Sequence, residues 1–537
     1  MEKLPMALIA VDMTPSVPWG ENGGAKPLIM ELLRGFQRLA TGDRFLILTA
    51  SWNHKELGIL DSPVMKRLCV IHRERRPEVT VQEGGHWPDR FQNMRLLMVQ
   101  LYHKFFQSHS LRKREVDLLF CPFTDPVLAE PGIPVVSVIH DLQFREFPHF
   151  FSPHEVQHRH AFMQEASRKA DAIVCVSEYT QQSAIQALSL PPEKTCVIHN
   201  CIQGRLNRLN PDVNHSTLER LGISRCPYMF YPANFWPHKN HRMLLTAYGM
   251  YHSRHPAQPL DLVFTGALTG EQQKLRAHIE RMGIEPHVHF LGYLSEDDLS
   301  AVWDGCSCLI FPSLFEGFGI PVLEAMNFDK PVLCSRASSL PEVAGDAALY
   351  FDPRKPEEIL KCIEMLMLDT KVRTALIENG RKRLKSFTSE SMIEQYLAYF
   401  HQTLQKTPLY KNGINGVFAD LWTGREFSIT TAPGTSPRSV ELTIELPAWA
   451  PHAYTTFRMK SNSGRPQQWK INRGEEMTIR IPVLECGGEL SFEVKYTFCP
   501  EKAKMGADSR NLGLRCHRCL LLDDQRRVVF WPVHEPV

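Results

Sequence analysis

From the start of the chain to about residue 400, short apolar runs alternate with longer stretches whose apolar residues return at helical spacing. That alternation predicts parallel sheets covered by helices. The runs ALIAV, FLILTA, DLLFC, VVSVI, AIVCVS and CVIHN supply strands for a first half, and YMFYPA, LVFTG, VHFLG, CLIFP, PVLCS and ALYF for a second. Between them, residues 203–226 are polar, irregular and rich in Asn and Arg, which predicts a linker between two doubly wound α/β domains and a cleft where they meet. After about residue 410 the runs EFSIT, VELTIELP, AYTTFRMK, EMTIRIPV, LSFEVKY and RVVFWPV follow one another with only Gly, Pro and Asn between, the pattern of an antiparallel β-sandwich. The expected divisions are 1–205, 206–385, a helix over 386–408 that crosses back to the first domain, and 411–537.

Length agrees with this division, because 537 residues exceed what one hydrophobic core sustains. With 61 basic and 59 acidic residues the net charge gives no electrostatic reason to expect nucleic acid as a partner. The opening MEKLPMALIAVDMTP holds an apolar run broken by Asp12, too short for a secretory signal, and reads as a first strand. No apolar run approaches the roughly 18 residues of a spanning helix. A cytoplasmic protein is expected, with peripheral contact at the inner face of a membrane left open. The 14 cysteines are scattered, and Cys175 in AIVCVS and Cys308 in CLIFP sit inside apolar strands where a thiol acts as a small hydrophobe, in keeping with a reducing compartment. Cys516 and Cys519 form one C-x-x-C, with Cys486 and Cys499 upstream. A four-cysteine zinc site normally shows two close pairs, so scattered thiols are the expected reading.

The densest chemistry lies in residues 311–324, FPSLFEGFGIPVLE. An apolar strand ends, a loop opens with Glu316 beside Gly317 and Gly319, Pro321 suits the first turn of a helix, and Glu324 falls about one turn inside it. Free amides at such a corner suit anionic or hydroxyl-rich groups, and the inner carboxylate can accept hydrogen bonds from a vicinal diol such as ribose. The plain alternative is a strand-to-helix turn with solvated glutamates. Other polar residues fall at downstream strand ends, where open parallel sheets bind ligands: His140 and Asp141, Ser177, Asn234, Gly266, and Ser313. His140 could reach a sugar hydroxyl or be a satisfied core histidine, and Ser177 equally suits an N-cap. In YPANFWPHKN, Lys239 could neutralise a diphosphate or lie solvated. The loop WGENGGAK, with Gly23 and Gly24, joins the first strand to a helix carrying Leu28, Leu32, Leu33 and Phe36, but has neither the Walker nor the G-x-G-x-x-G spacing. The chain has no D-x-D pair for holding a divalent metal, so lysine and helix ends are expected to carry the phosphate charge without a cofactor.

Between Met94 and Phe105 apolar residues recur at helical spacing, with Arg95, Lys104, Arg112, Lys113 and Arg114 on or beside the segment. Core packing with a solvated basic face is the default, and docking on a membrane surface the alternative.

Over residues 5–405 these features resemble the retaining glycosyltransferases of family four, the GT-B fold, in the order HDLQFREFP, VSEYT, VIHN, FLGYLSEDDL, EGFGIPVLEAM and PVLCSRASSLPEVAGDAALYFDP. The resemblance implies two Rossmann-like domains facing across a cleft, with a nucleotide-sugar donor mainly on the second and a glycan or polyprenyl-linked acceptor on the first. It implies that Glu316 and the backbone of Gly317, Phe318 and Gly319 contact the donor sugar, that Glu324 binds the ribose, and that Lys239 holds the diphosphate with Gly23 and Gly24. His140 would bind a donor-sugar hydroxyl, with Asn234 and Gly266 also at the donor. Relatives often place an arginine five residues before the lysine, where this chain has Asn234. The implied activity is metal-independent transfer of a hexose, mannose among the candidates, in building bacterial surface polysaccharide such as lipopolysaccharide or O-antigen. A GT-B phosphorylase or epimerase and a non-catalytic sugar-nucleotide scaffold are the alternatives. The terminal β-rich region is similar to an appendage of such enzymes, where Trp422, Trp449 and Trp469 could form a sugar platform or, more simply, a core.

Overall fold

The computed structural model describes residues 7–17, 24–39, 42–72, 111, 114, 116–130, 133–258, 260–266, 270–406, 413–417, 421–430, 439–460, 467–482, 489–500, 503, 510–522 and 528–530. Two compact units form: Met1–Leu97 with Phe120–Val127 and Val135–His401, and Met98–Leu119 with Leu128–Pro134 and Gln402–Val537.

The first unit holds two parallel sheets. Strands β1 (Leu8–Asp12), β2 (Arg44–Ala50), β3 (Met65–Ile71), β4 (Leu118–Cys121), β5 (Val135–Ile139), β6 (Ala172–Cys175) and β7 (Thr195–Val197) lie in the order β3-β2-β1-β4-β5-β6-β7. The second sheet runs β10-β9-β8-β11-β12-β13, from β8 (Tyr228–Pro232), β9 (Asp261–Thr265), β10 (Val288–Phe290), β11 (Cys308–Phe311), β12 (Val332–Ser335) and β13 (Ala348–Phe351). Nearly every residue of β4, β5, β9, β11 and β12 is buried, as expected for strands covered on both faces. All six strands expected in the second half are present. In the first half β3, MKRLCVI, joins the six expected ones.

Each sheet reverses its strand order once, between β1 and β4 and between β8 and β11, and ligand crevices of open α/β sheets lie outside the carboxyl ends at such points. Helix α1 (Ala25–Leu39) buries Leu28, Leu32, Leu33 and Phe36, the face read from the sequence, with Ile29 beside them. Helices α2 (Glu178–Leu188), α3 (His241–Arg254), α4 (Glu296–Gly305) and α5 (Ile320–Asn327) each begin beyond a strand's carboxyl end. The late helix α6 (Ser389–Lys406) packs back on the first sheet. Its Phe400 ring lies 4.9 Å from that of Phe120 and 5.7 Å from that of Phe36. Ile393 fills the space over Gly35, where a methyl group would sit 2.0 Å from Ile393 Cδ1.

The second unit carries two antiparallel sheets. The five-stranded one comprises Gly413–Val417, Thr423–Thr430, Glu489–Val494, Tyr454–Lys460 and Gln468–Asn472; the four-stranded one comprises Glu475–Pro482, Ser439–Leu446, Arg515–Leu522 and Val528–Phe530. Alternation along Ser439–Leu446 buries Val440, Leu442, Ile444 and Leu446 in a shared apolar core with Phe427, Phe457 and Phe492. Cys516 and Cys519 belong to that core as small hydrophobes, burial pushing the Cys516 thiol up to about 12. Cys486 lies outside the described residues. Trp422 is buried and Trp469 stacks on Phe457 at 5.1 Å, whereas Trp449 is 52% exposed. Among the described residues no helix is long and apolar enough to cross a membrane. The basic segment around Met94 to Phe105 lies outside them.

Candidate active site

The reversal of the second sheet brings the loops after β8 and β11 together, because these strands pair in parallel with Cys308 opposite Met229. Lys239, nine residues beyond the middle of β8, donates from Nζ to Glu316 Oε1 at 2.6 Å, with the two side chains 13% and 11% exposed. Its ammonium also lies 5.8 Å from the centroid of the Phe311 ring. Neighbouring imidazoles add no charge: burial first, then Lys239, pushes His238 and His241 each down to about 3, so both are neutral near pH 7. Positive charge in the segment from Trp236 to His241 therefore rests on Lys239.

The loop of Glu316 is held from outside itself. Ser338 Oγ accepts from Glu316 N at 2.8 Å, Ser339 Oγ donates to the carbonyls of Glu316 and Phe318 at 2.9 and 3.0 Å, and Ser335 Oγ donates to Ser313 O at 2.5 Å. Ser335 ends β12, and Ser338 and Ser339 follow it closely. Gly319 caps α5 with φ +100°, a left-handed conformation that favours glycine, and Pro321 sits in the first turn. Glu324 then falls one turn inside, 3% exposed, its Oε1 accepting from Arg205 Nη2 at 2.9 Å. Burial pushes the Glu324 carboxyl up, and Arg205 opposes it. The Phe318 ring packs against His199 and Phe387 at 5.8 and 6.2 Å, so that residue offers its backbone.

Gly317 is where the two sheets' loops meet. A methyl group on it would lie 1.9 Å from the carbonyl oxygen of His140 and 3.1 Å from Asp141 Cβ, so the glycine is needed for close approach. The Gly317 carbonyl accepts from Ser177 Oγ at 2.7 Å and Thr180 Oγ1 at 3.1 Å. Ser177 is thus the N-cap of α2, accepting from Thr180 N at 3.0 Å, and a tie to the other sheet's loop. A second tie is Glu342, whose carboxylate accepts from the amides of Glu178 and Tyr179 at 2.8 and 3.1 Å and from His199 Nε2 at 2.7 Å. Burial alone would raise the Glu342 carboxyl, but His199 and the two amides hold it below its ordinary range.

His140 sits behind Gly317. Its Nε2 lies 2.7 Å from the Pro122 carbonyl, which only accepts, so Nε2 carries the hydrogen. Desolvation holds the imidazole below its usual pKa, hence neutral, with Nδ1 an acceptor. Gly24 approaches the same helix start: a methyl group there would lie 3.5 Å from Ile320 Cδ1. Gly23 lies outside the described residues. Asn234 and Gly266 lie against each other, with Gly266 at φ +136° pressed against Ala233 O and Asn234 Cα, and its amide donating to Gly292 O at 2.9 Å.

Glu316 and Lys239, Gly317 and His140, and Gly24 and Ile320 therefore approach one another directly, while Gly319 and Glu324 join them through the chain at the start of α5. Arg205, Glu342, His199, Ser338 and Ser339 were not singled out from sequence. Their one available signal was position, since each but Arg205 follows a strand's carboxyl end closely. As an assembly, the described residues of the region present the Lys239 ammonium, carboxylate acceptors, a neutral imidazole and a helix N-terminus, a set suited to a polyhydroxyl ligand with an anionic group.

Residues 219–383 match the family Glycosyl transferases group 1, and residues 22–203 match Glycosyltransferase Family 4. Among curated relatives, the O-antigen chain mannosyltransferase B of Escherichia coli is 28% identical over 264 residues, 48% of this chain and 68% of that one. The serotype-specific mannosyltransferase WbdA of Escherichia coli is 29% identical over 208 residues, 37% of this chain but only 25% of the relative's length. Among solved structures, Anabaena Alr3699/HepE in complex with UDP and glucose aligns with a TM-score of 0.55 at 19% identity, covering 74% of this chain and 100% of that chain. WaaG, a glycosyltransferase involved in lipopolysaccharide biosynthesis, aligns with a TM-score of 0.51 at 16% identity, covering 73% and 99%. At these identities the likeness to the solved structures is one of fold.

Proposed function

We propose that this chain, which belongs to the family-four glycosyltransferases of GT-B fold, is a retaining hexosyltransferase that moves mannose from a nucleoside-diphosphate sugar to a glycan or polyprenyl-linked acceptor in O-antigen or lipopolysaccharide assembly. The mannosyltransferases among its relatives support the sugar and the pathway class. Alr3699/HepE, with UDP and glucose bound, supports a nucleotide-linked donor. The observation that carries the mechanism is the Lys239 Nζ to Glu316 Oε1 contact of 2.6 Å at the reversal of the second sheet.

An ammonium has three donors, and one is spent on Glu316, which leaves two for diphosphate oxygens. Glu316 keeps further lone pairs for a sugar hydroxyl, His140 Nδ1 accepts another, and Glu324 accepts from the ribose diol. The acceptor oxygen attacks the anomeric carbon from the face the diphosphate leaves. The bond from that carbon to phosphate oxygen breaks, the new glycosidic bond forms, and the acceptor proton passes to the departing oxygen. Lys239 and the amides at the start of α5 stabilise the developing phosphate charge, an effect worth several kcal/mol in preorganised sites. In this reading no divalent ion takes part.

The test pairs binding with turnover. UDP-, GDP-, TDP- and ADP-linked sugars are screened for thermal stabilisation, which a ligand of the folded state must produce. The stabilising donor is then assayed for acceptor-dependent release of nucleoside diphosphate. Lys239→Ala and Glu316→Ala should each lower turnover by about two orders of magnitude or more with melting temperatures near wild type. Undiminished turnover in either variant removes that residue from the mechanism. Release without acceptor argues against transfer.

A further inference from the structure

Arg205 lies in the linker, outside every motif that carries the resemblance, yet it makes the most deeply buried charge contact near α5. It ends a short turn, Gln203–Arg205, and its guanidinium forks between two carboxylates. Nη1 donates to Glu296 Oε1 at 2.7 Å and Nη2 to Glu324 Oε1 at 2.9 Å. The Arg205 and Glu324 side chains are 10% and 4% exposed, whereas Glu296 is 59% exposed. The same stretch is pinned at two further points, one on the last residue of α5 and one two residues beyond it. Asn327 Nδ2 donates to Gln203 O at 3.3 Å, and Arg208 Nη2 donates to Asp329 Oδ2 at 2.7 Å.

We infer that Arg205 is a positioning residue for the nucleotide, orienting the Glu324 carboxylate so that its second oxygen faces a ribose diol. This rests on the reading of Glu324 as the ribose-binding carboxylate. The reasoning is geometric first. A short glutamate on the first turns of an eight-residue helix has several rotamers, and a bond from a guanidinium fixed at three places along the linker selects one. Charge supports it. Burial favours the protonated form of Glu324, which would present a donor on one oxygen, whereas a diol needs two acceptors. Arg205 opposes that tendency, as does the Trp303 indole. The Arg205 Nε is buried without a partner, a sacrifice that makes sense for a guanidinium placed to serve the two carboxylates.

The test uses the full chain and calorimetric titration with GDP, UDP and their 2′-deoxy counterparts, beside melting curves. For whichever nucleotide binds, wild type should prefer the ribose form about tenfold or more, and Glu324→Gln and Arg205→Met should both bring the ratio of dissociation constants close to one. Arg205→Lys, which keeps charge but cannot fork, should restore only part of the preference, and it replaces Arg205→Met if that variant does not fold. A merely structural arginine would weaken both nucleotides equally and leave the ratio intact. If Glu324→Gln loses the preference while the Arg205 variants retain it, the positioning role is overturned and the ribose reading stands. If Glu324→Gln retains it, or neither nucleotide binds wild type, the ribose reading fails and the role of Arg205 with it.

Discussion

Substituting Gly317 by alanine tests the site where the two sheets touch. The new methyl group would stand 1.9 Å from the carbonyl oxygen of His140, against the 3.0 Å below which such contacts essentially never occur. The obstacle is backbone on both sides, so the loops must part by about 1 Å. Overpacking of this kind costs roughly 1–3 kcal/mol. The displacement also strains two hydrogen bonds on the Gly317 carbonyl, from Ser177 at 2.7 Å and Thr180 at 3.1 Å, each worth about 1 kcal/mol. The expected loss of stability is therefore about 2–5 kcal/mol, which a chain of this size can survive folded at low temperature. The effect on rate should be larger. Glu316 is the preceding residue and His140 the opposing one, and a misplacement of about 1 Å can cost on the order of a hundredfold. The assay is kcat/KM for sugar transfer at a temperature where melting curves show the variant folded. Ser177→Ala is the companion, because it removes the tie to the Gly317 carbonyl and the N-cap of α2 without pushing the loops apart and should keep most of the rate. If Gly317→Ala transfers sugar within threefold of wild type, the chemistry does not occur at this junction.

Asp12, at the end of β1, is 1% exposed, and burial raises its carboxyl to about 7 despite two hydrogen bonds from Thr14 to Oδ1. A raised folded-state value means stability is fully present below the unfolded value of 3.8 and is lost as pH rises through about 7, by up to about 4 kcal/mol. Asp12→Asn should therefore raise the melting temperature at pH 8 more than at pH 5, and equal shifts at both would refute the reading. Glu342 has the opposite sign: its folded carboxyl is depressed, so its contribution is present above about 4.5 and fades as pH falls through the lower folded value. Glu342→Gln should cost about 1–2 kcal/mol at neutral pH, from a charge lost at the N-terminus of α2, and the gap to wild type in melting curves should narrow below pH 4.5.

How far the fold was legible depended on burial. Strands covered on both faces, such as CLIF and VLCS, announce themselves as unbroken apolar runs, and all such runs proved to be strands. Partly covered strands hide. In β3 the charges of Lys66 and Arg67 interrupt MKRLCVI, because this edge strand is largely half-buried. Arg515–Leu522 was missed because arginines and a histidine alternate with cysteines where valine or isoleucine would normally signal a strand. Its register is fixed by pairing with Ser439–Leu446, seventy residues away, which no local pattern carries.

The candidate site divides along the same line. Glu316, Gly319, Pro321 and Glu324 were legible because a strand end, a left-handed glycine and a helix start are local facts, and Lys239 because its strand ends beside theirs. Arg205 and Glu342 act on groups 119 and 164 positions distant, so their roles exist only in the folded chain. The sequence did pose the question that Arg205 answers in part. With Asn234 in place of an arginine, a second cation had to come from elsewhere or be absent. The structure places Arg205 on Glu296 and Glu324, with both Nη groups committed there, and keeps His238 and His241 neutral. Among the described residues, the cation that the proposed reading gives to a diphosphate near the Glu316 loop is thus Lys239, already paired with Glu316. In the proposed reading an anion takes the two donors of that ammonium that remain beside the 2.6 Å contact. The same side chain would then hold both the phosphate and Glu316, which ties the placement of the leaving group to that of the carbon it leaves.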